Sequence, residues 1–398
     1  MNKDRMTVDV AIIGGGIAGL WALNLLRCRG FSVILFEQDA LGNHQTIASQ
    51  GIIHGGVKYA LGGPFDRRAQ SLSAMPTTWR DCLRGEGDVD LRGCRVLSDS
   101  VNLWTNGELP AQFATALGSK LLRGRVRELP REKYPVPLRD PGFRGRVYRL
   151  PDLVIDVPSL VATLVEQQRE AIFKIDWRQA ALRTRGDRAS LELAECEVIP
   201  ECLLLAAGAS NAGLIAAFDR SMPAMQRYPV QQVLVQHRYP ETLYGHCVGT
   251  SPSPRLTVTS HPSSSDTSLW YLGGDLATQH PALSSAHLIK LAQKELAHLL
   301  PWVNLSGALW RTLHMDRVEP LQTRRLRPDS AFLGAVDGVR NVLVTWPVKL
   351  TLAPDMGDRL LQRLQQSGVT PYHPQPLSAL QSLGQPPLAR PPWEAFFV

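Results

Sequence analysis

Residues Val8 to Asp39 read VDVAIIGGGIAGLWALNLLRCRGFSVILFEQD, and this one stretch restricts the fold more than any other. VDVAII is a short apolar run rich in β-branched residues, the pattern of a strand covered on both faces. Gly14-x-Gly16-x-x-Gly19 follows at once, AGLWALNLLRCR then carries helical apolar spacing up to Gly30, and FSVILFE reads as a second strand ending on Glu37. The spacing predicts strand, turn, helix and parallel strand, the opening of a Rossmann-like dinucleotide-binding sheet. Gly14 makes the tight turn, Gly16 lets the backbone approach a pyrophosphate, and Gly19 lets helix and strand pack closely. The pyrophosphate would lie at the positive end of the helix, along Ile17 and Ala18. Glu37, with Gln38 beside it, stands 23 residues after Gly14, where an acid hydrogen-bonds a ribose diol. A carboxylate there repels a 2′-phosphate and disfavours NADP. The motif alone does not separate NAD from FAD.

A chain of 398 residues has room for two domains, and 44% hydrophobic with 20% charged residues excludes wholesale disorder. The six cysteines are scattered with no CxxC pair, so neither a zinc site nor a dithiol centre is signalled, and a reducing, cytoplasmic setting is expected. MNKDR followed by an apolar run imitates a secretory signal, but Gly14, Gly15, Gly16 and Gly19 interrupt it. No run of ~18 apolar residues predicts a membrane span. The net charge of +7 is concentrated between Lys120 and Arg149, where ten Lys or Arg face only Glu128, Glu132 and Asp140. That segment has two readings: a contact for a membrane surface or RNA, or a solvated loop and edge strand. It carries no aromatic-interleaved RNA-binding consensus, and DNA is not an expected partner.

The next stretch, QTIASQGIIHGGVKYALGG (Gln45 to Gly63), is a glycine-rich loop holding His54 and Tyr59 where an NAD dehydrogenase would continue with regular βα units. Here the chain resembles the FAD-dependent family that contains D-amino-acid oxidase, glycine and sarcosine oxidases and glycerol-3-phosphate dehydrogenase. The closest local likeness is to the His-Gly-Gly-Leu-Arg-Tyr motif of the last, read here as His54-Gly55-Gly56-Val57-Lys58-Tyr59. Further matches are LPDLVIDVPSL (Leu150 to Leu160), ECLLLAAGASNAGL, YPVQQVLVQ, SLWYLGGDLA and VLVTWPVKLTLAPDMGDRL. The resemblance implies that Ser49, Gln50 and Gly51 pass beside the flavin ring. It also implies that Ala206, Ala207 and Gly208 bring backbone against the cofactor, and that Lys349, Leu350 and Thr351 form the turn closing over it.

The same resemblance points His54, Lys58 and Tyr59 at the substrate. His54 is read as a proton acceptor, as support for the flavin loop, or as a covalent flavin anchor. Lys349 is the candidate anchoring charge for substrate, and Lys58 keeps the charge of the family's arginine without its bidentate fork. Where the family carries Arg-Pro to grip an acidic group, this chain has Glu319-Pro320 with Arg317 two residues earlier, on the same face of a strand. Arg325 and Arg327 are the fallback cations, and Trp346 is expected to pack near the flavin.

The expected architecture is α/β, with a discontinuous FAD-binding domain (1–83, 150–225 and 325–366). An α+β substrate domain on a mostly antiparallel sheet takes 84–149 and 226–324, and a Pro-rich arm takes 367–398. The expected activity is hydride transfer from a CH–OH or CH–N carbon of a small substrate to flavin, with oxygen, a quinone or a redox protein as electron acceptor. A second GxGxxG is missing, which disfavours NAD(P)H as co-substrate. The alternatives are an FAD-binding assembly module with little turnover, or a flavin enzyme acting on RNA or at a membrane surface.

Overall fold

The computed structural model describes residues 4–56, 68–107, 126–249, 253–263, 266–321, 330–347, 349–372 and 377–397. The chain opens with β1 (Asp4–Ile13), α1 (Ile17–Cys28), β2 (Val33–Glu37), β3 (Ile52–Ile53) and α2 (Arg68–Arg84). It continues through β4 (Val96–Ser98), β5 (Val101–Trp104), β6 (Arg127–Glu128), β7 (Val147–Leu150), β8 (Leu153–Ile155) and α3 (Val157–Glu166). Then come β9 (Ile172–Lys174), β10 (Ala181–Arg185), β11 (Arg188–Glu192), β12 (Cys196–Leu205), β13 (Met225–His237), β14 (Gly245–Cys247), β15 (Leu256–Pro262) and β16 (Ser268–Gly273). These are followed by α4 (Ser285–Leu299), β17 (Leu309–Pro320), β18 (Phe332–Val336), β19 (Val339–Trp346) and α5 (Ala353–Gln366), with short helical turns at Leu377–Leu383 and Pro392–Phe396.

The first sheet runs β10-β11-β12-β1-β2-β9, with β19 beside the C-terminal half of β12 and β18 beside β19. β1 is parallel to β2 and to β12, as its two-sided apolar pattern predicts. Alternation sends Val10 and Ile12 into one core and Ala11 and Ile13 into the other. On the first side lies α1, whose residues Ile17 to Leu26 are all buried. A helix apolar on every side must be covered on every side, and α3 and α5 provide that cover. At the closest approach a Cβ on Gly357 of α5 would stand 2.6 Å from a Leu25 methyl.

The second sheet runs β17-β13-β16-β15-β14-β5-β7-β6 and is antiparallel except between β14 and β5. On one face Val233, Val235, Val258, Trp270 and Leu272 meet Leu288, Ala292, Leu296 and Leu299 of α4, the helix whose apolar spacing predicted such a seat. Its other face, with Gln232, Leu234, Thr257, Thr259 and Tyr271, meets the loop after β2. A small third sheet, β3-β8-β4, joins the two. The mixed α/β architecture expected from the sequence is present.

After α5 the described residues run as an arm back over the first sheet and on to the second. Leu41 donates its amide to Pro387 and accepts from Ala389, while Lys174 donates to Gly384. Trp393, 7% exposed, ends the arm against Tyr271 and His261 on the inner face of the second sheet. The described part of the basic segment forms β6 and β7, at the edge of that sheet. Arg131 donates to the carbonyls of Phe143 and Asp140, Arg139 donates to that of Tyr134, and Arg146 pairs with Glu128. Among the described residues no helix is long and apolar enough to cross a membrane.

Candidate functional site

Gly14 takes φ +112° between β1 and α1, a conformation that favours glycine. A Cβ on it would come 2.7 Å from the backbone of Ala206 and Ala207, and a Cβ on Gly19 would come 1.9 Å from the Gly14 carbonyl oxygen. The turn is therefore clamped between α1 and the end of β12, with Ala206 donating to Ile13. Gly16 is the N-cap of α1 and offers no side chain there. The Thr46 hydroxyl accepts from the Ile17 amide at 3.0 Å, and Ala18 is buried one residue on. Glu37 accepts the Gly15 amide at 2.6 Å through Oε2 and the Asp39 amide at 2.8 Å through Oε1. The carboxylate thus braces the glycine turn itself, and its remaining lone pairs are what a ribose diol would use. Gln38 is exposed beside it. A glycine turn opening a helix, a braced acid and a helix N-terminus whose N-cap residue is glycine are what the pyrophosphate and ribose of FAD require.

The loop after β2 runs from this cradle to the second sheet. Ser49 Oγ accepts the Gly51 amide at 3.2 Å; Gly51, at φ +73°, has no room for a Cβ, which would stand 2.1 Å from the Ile155 carbonyl oxygen. Gln50 stands in the segment that the resemblance places beside the flavin ring, and its side chain turns to the second sheet. Its Nε2 donates to the Tyr271 carbonyl at 2.8 Å and to Thr259 Oγ1 at 3.3 Å, so the amide ties the loop to the sheet. The Tyr271 hydroxyl answers by donating to the Ala48 carbonyl at 2.8 Å. Gln45, which the sequence did not single out, accepts the Val318 amide at 3.1 Å and lies beside Gly208. Ala207 donates its amide to Asn211 Oδ1, and the Gly208 carbonyl accepts from Trp346 Nε1 at 3.0 Å. Trp346 is 1% exposed and packs its ring at a tilt against Phe332, so it supports the Gly208 turn from behind.

The closing turn Lys349–Thr351 is bound to this loop. Thr351 Oγ1 accepts the His54 amide at 3.0 Å and donates to the Ile52 carbonyl at 3.3 Å, while Trp79 Nε1 donates to the Thr351 carbonyl. Lys349 is 8% exposed and Leu350 half-buried.

Around His54 three side chains converge. Its Nδ1 lies 3.3 Å from Asp152 Oδ2, and the fully buried Asp152 also accepts the Gly55 amide at 2.8 Å. His246 on β14 presents its ring 5.8 Å from that of His54 and places Nδ1 2.8 Å from Thr257 Oγ1. The nitrogen and carboxylate atoms of His54, Asp152 and His246 lie within 4.8 Å of one another. Asp152 sits inside the LPDLVIDVPSL match and His246 in a three-residue strand, and neither carries a sequence signal of its own. Lys58, Tyr59, Arg325 and Arg327 lie outside the described residues.

Arg317 and Glu319 share a face of β17, as their spacing predicts. Glu319 is buried, with Oε2 3.5 Å from Arg317 Nε and Oε1 accepting from Gln226 Nε2 at 3.3 Å. The Arg317 guanidinium lies 5.1 Å from the Tyr228 ring centre on the paired strand. The arginine's charge is thus largely matched within the protein. Elsewhere, burial pushes His237 and His261 down to about 4, which makes them neutral core histidines, and pushes the thiols of Cys94, Cys202 and Cys247 up to about 12. All six cysteines are free thiols.

Residues 9–305 match the family described as FAD dependent oxidoreductase. The probable FAD-dependent oxidoreductase PA4991 of Pseudomonas aeruginosa is 44% identical over 394 residues, covering 99% of both chains. Its crystal structure superposes with a TM-score of 0.86 at 39% identity over the whole of both chains. Glycine oxidase from Geobacillus kaustophilus shares the fold at 19% identity, with a TM-score of 0.63 over 94% of this chain and 98% of that one. A 51-residue stretch, 13% of this chain and 10% of the relative, is 49% identical to a glycerol-3-phosphate dehydrogenase of Pseudomonas tolaasii. With its glycine cradle, its paired sheets and these relatives in agreement, the chain belongs to the FAD-dependent oxidoreductase family of D-amino-acid and glycine oxidases, and its cofactor is FAD.

Proposed function

We propose that the protein oxidises a CH–OH or CH–N carbon of a small substrate lying between the His54 loop and the inner face of the second sheet. FAD, when bound, supplies the hydride acceptor at its N5 position. The observation that carries this reading is the convergence of His54, Asp152 and His246 from two sheets beside a loop pinned to the closing turn. His54 takes the proton from the neighbouring O–H or N–H. Lys349 supplies the charge that anchors an anionic or hydroxylated substrate, since Glu319 offsets Arg317. Electrons then leave to oxygen, a quinone or a redox protein. An amine or cationic substrate is the second reading, favoured by the buried Glu319 carboxylate.

The test is anaerobic addition of sn-glycerol-3-phosphate, 2-hydroxy acids, amino acids and amines in turn to the purified holoenzyme. Bleaching of the oxidised-flavin band by one class supports the proposal and selects between the two substrate readings. A flavin that none of them reduces favours a binding or assembly role instead.

A further inference from the structure

Asp152 has no part in the sequence argument, yet its side chain is wholly buried. A carboxylate removed from water is costly unless its oxygens are hydrogen-bonded. Among the described contacts, the Gly55 amide donates to Oδ1 at 2.8 Å, and the His54 ring places Nδ1 3.3 Å from Oδ2. Gly55 follows His54 in sequence, so one carboxylate fixes both the backbone and the imidazole of the same short segment. The His54 amide is fixed a third way, by Thr351 Oγ1.

A neutral imidazole carries one N–H and one lone-pair nitrogen, and the partner of one nitrogen decides which is which. An ionised carboxylate can only accept, so Asp152 selects the form of His54 with the proton on Nδ1 and the lone pair on Nε2. We infer that Asp152 is a positioning residue that holds His54 as the Nδ1–H tautomer, with Nε2 as the proton acceptor for the substrate. The inference rests on the proposed role of His54 as base. Proton balance is simple: the substrate O–H or N–H proton passes to Nε2, giving an imidazolium that Asp152 stabilises, while the hydride leaves to the flavin. His246 holds its own ring through Thr257, in the other sheet, on the far side of the pocket from the His54 loop.

The experiment is imidazole nitrogen NMR on histidine-labelled holoenzyme, with the His54 signals identified by their loss in His54→Gln. The wild type is expected to show His54 protonated at Nδ1 and bare at Nε2. In Asp152→Asn the acceptor oxygen can stay on the Gly55 amide, and the new NH₂ then faces Nδ1. The tautomer should invert, and flavin reduction by any active donor should slow by about 100-fold, within the range general-base catalysis supplies. His246→Gln should leave the His54 tautomer unchanged. The inference is overturned if wild-type His54 carries its proton on Nε2, a result that needs no variant to fold. It is also overturned if Asp152→Asn keeps both the tautomer and the rate. A correct tautomer with no reducing donor would leave the tautomer assignment standing and remove the proposed function; reduction by a donor with rate and tautomer both unchanged in Asp152→Asn would keep the function and remove the inference.

Discussion

Replacing Thr351 by valine removes a hydroxyl and little else, because the two side chains have nearly the same shape. Thr351 is 1% exposed, and its Oγ1 accepts the His54 amide and reaches the Ile52 carbonyl. In the variant the His54 N–H faces a methyl group. A buried donor left without an acceptor costs ~1–3 kcal/mol, and the longer bond to Ile52 adds little. About 2 kcal/mol lost from the join between loop and closing turn corresponds to roughly a 30-fold increase in local opening, at ~1.4 kcal/mol per factor of ten. Hydrogen exchange at the His54 amide, read by mass spectrometry over residues 52–56, should accelerate by that factor. FAD should also dissociate faster on dilution, because both segments are expected beside the flavin. Thr351→Ser keeps the hydroxyl and should behave like the wild type in exchange. Wild-type exchange and FAD retention in Thr351→Val would refute the reasoning, as would a defect in the serine variant equal to that of valine.

Two glycines should separate folding from cofactor binding. Gly19→Ala sets a Cβ 1.9 Å from a backbone oxygen and should lower thermal stability even without FAD, whereas a Cβ on Gly16 meets only Thr46 Oγ1, at 3.4 Å. Gly16→Ala should therefore fold normally and purify with less flavin, as the visible absorbance relative to protein will show. The buried His237 and His261, held down to about 4, bind fewer protons when folded than in the unfolded chain, where a histidine titrates near 6.5. Their contribution to stability is complete above pH ~6.5 and falls as the pH is lowered towards 4, so urea midpoints should decline across that window. His261→Gln should flatten the decline if it folds.

The parts legible in the sequence were those written in contiguous residues. Strand, glycine turn, helix and acid lie within Val8–Glu37, and each follows from local spacing; so does the seat of α4, whose apolar residues recur at helical intervals. The pocket is different in kind. His54 meets Asp152 98 positions later, and Gln50 meets Tyr271 221 positions later. Such pairs arise from how two sheets face one another, and no periodicity encodes them. That is why no local pattern marks Asp152, His246, Thr46 or Gln45, nor the turn of the Gln50 side chain towards the sheet. Resemblance found Arg317 and Glu319, and their shared strand face put the carboxylate within reach of the guanidinium; how deeply Glu319 is buried was not legible. The Trp393 anchor was hinted at only by aromatic residues in a Pro-rich tail.

The order in which the first sheet is assembled also bears on the birth of the protein. Gly14 leaves the ribosome early, but the strand end that clamps it arrives with Ala206, the turn that closes the loop with Thr351, and the backbone bridge to Leu41 only with Pro387 and Ala389. At ~5–20 residues per second, roughly 20 to 70 s separate Gly14 from Thr351. Until β12 is made, β1 has only β2 beside it, and α1 waits for the cover of α5 until the end of the interval. The nascent chain thus has no complete place for a dinucleotide until synthesis is nearly over, and any truncated product should be released without flavin and with its central strand open to aggregation.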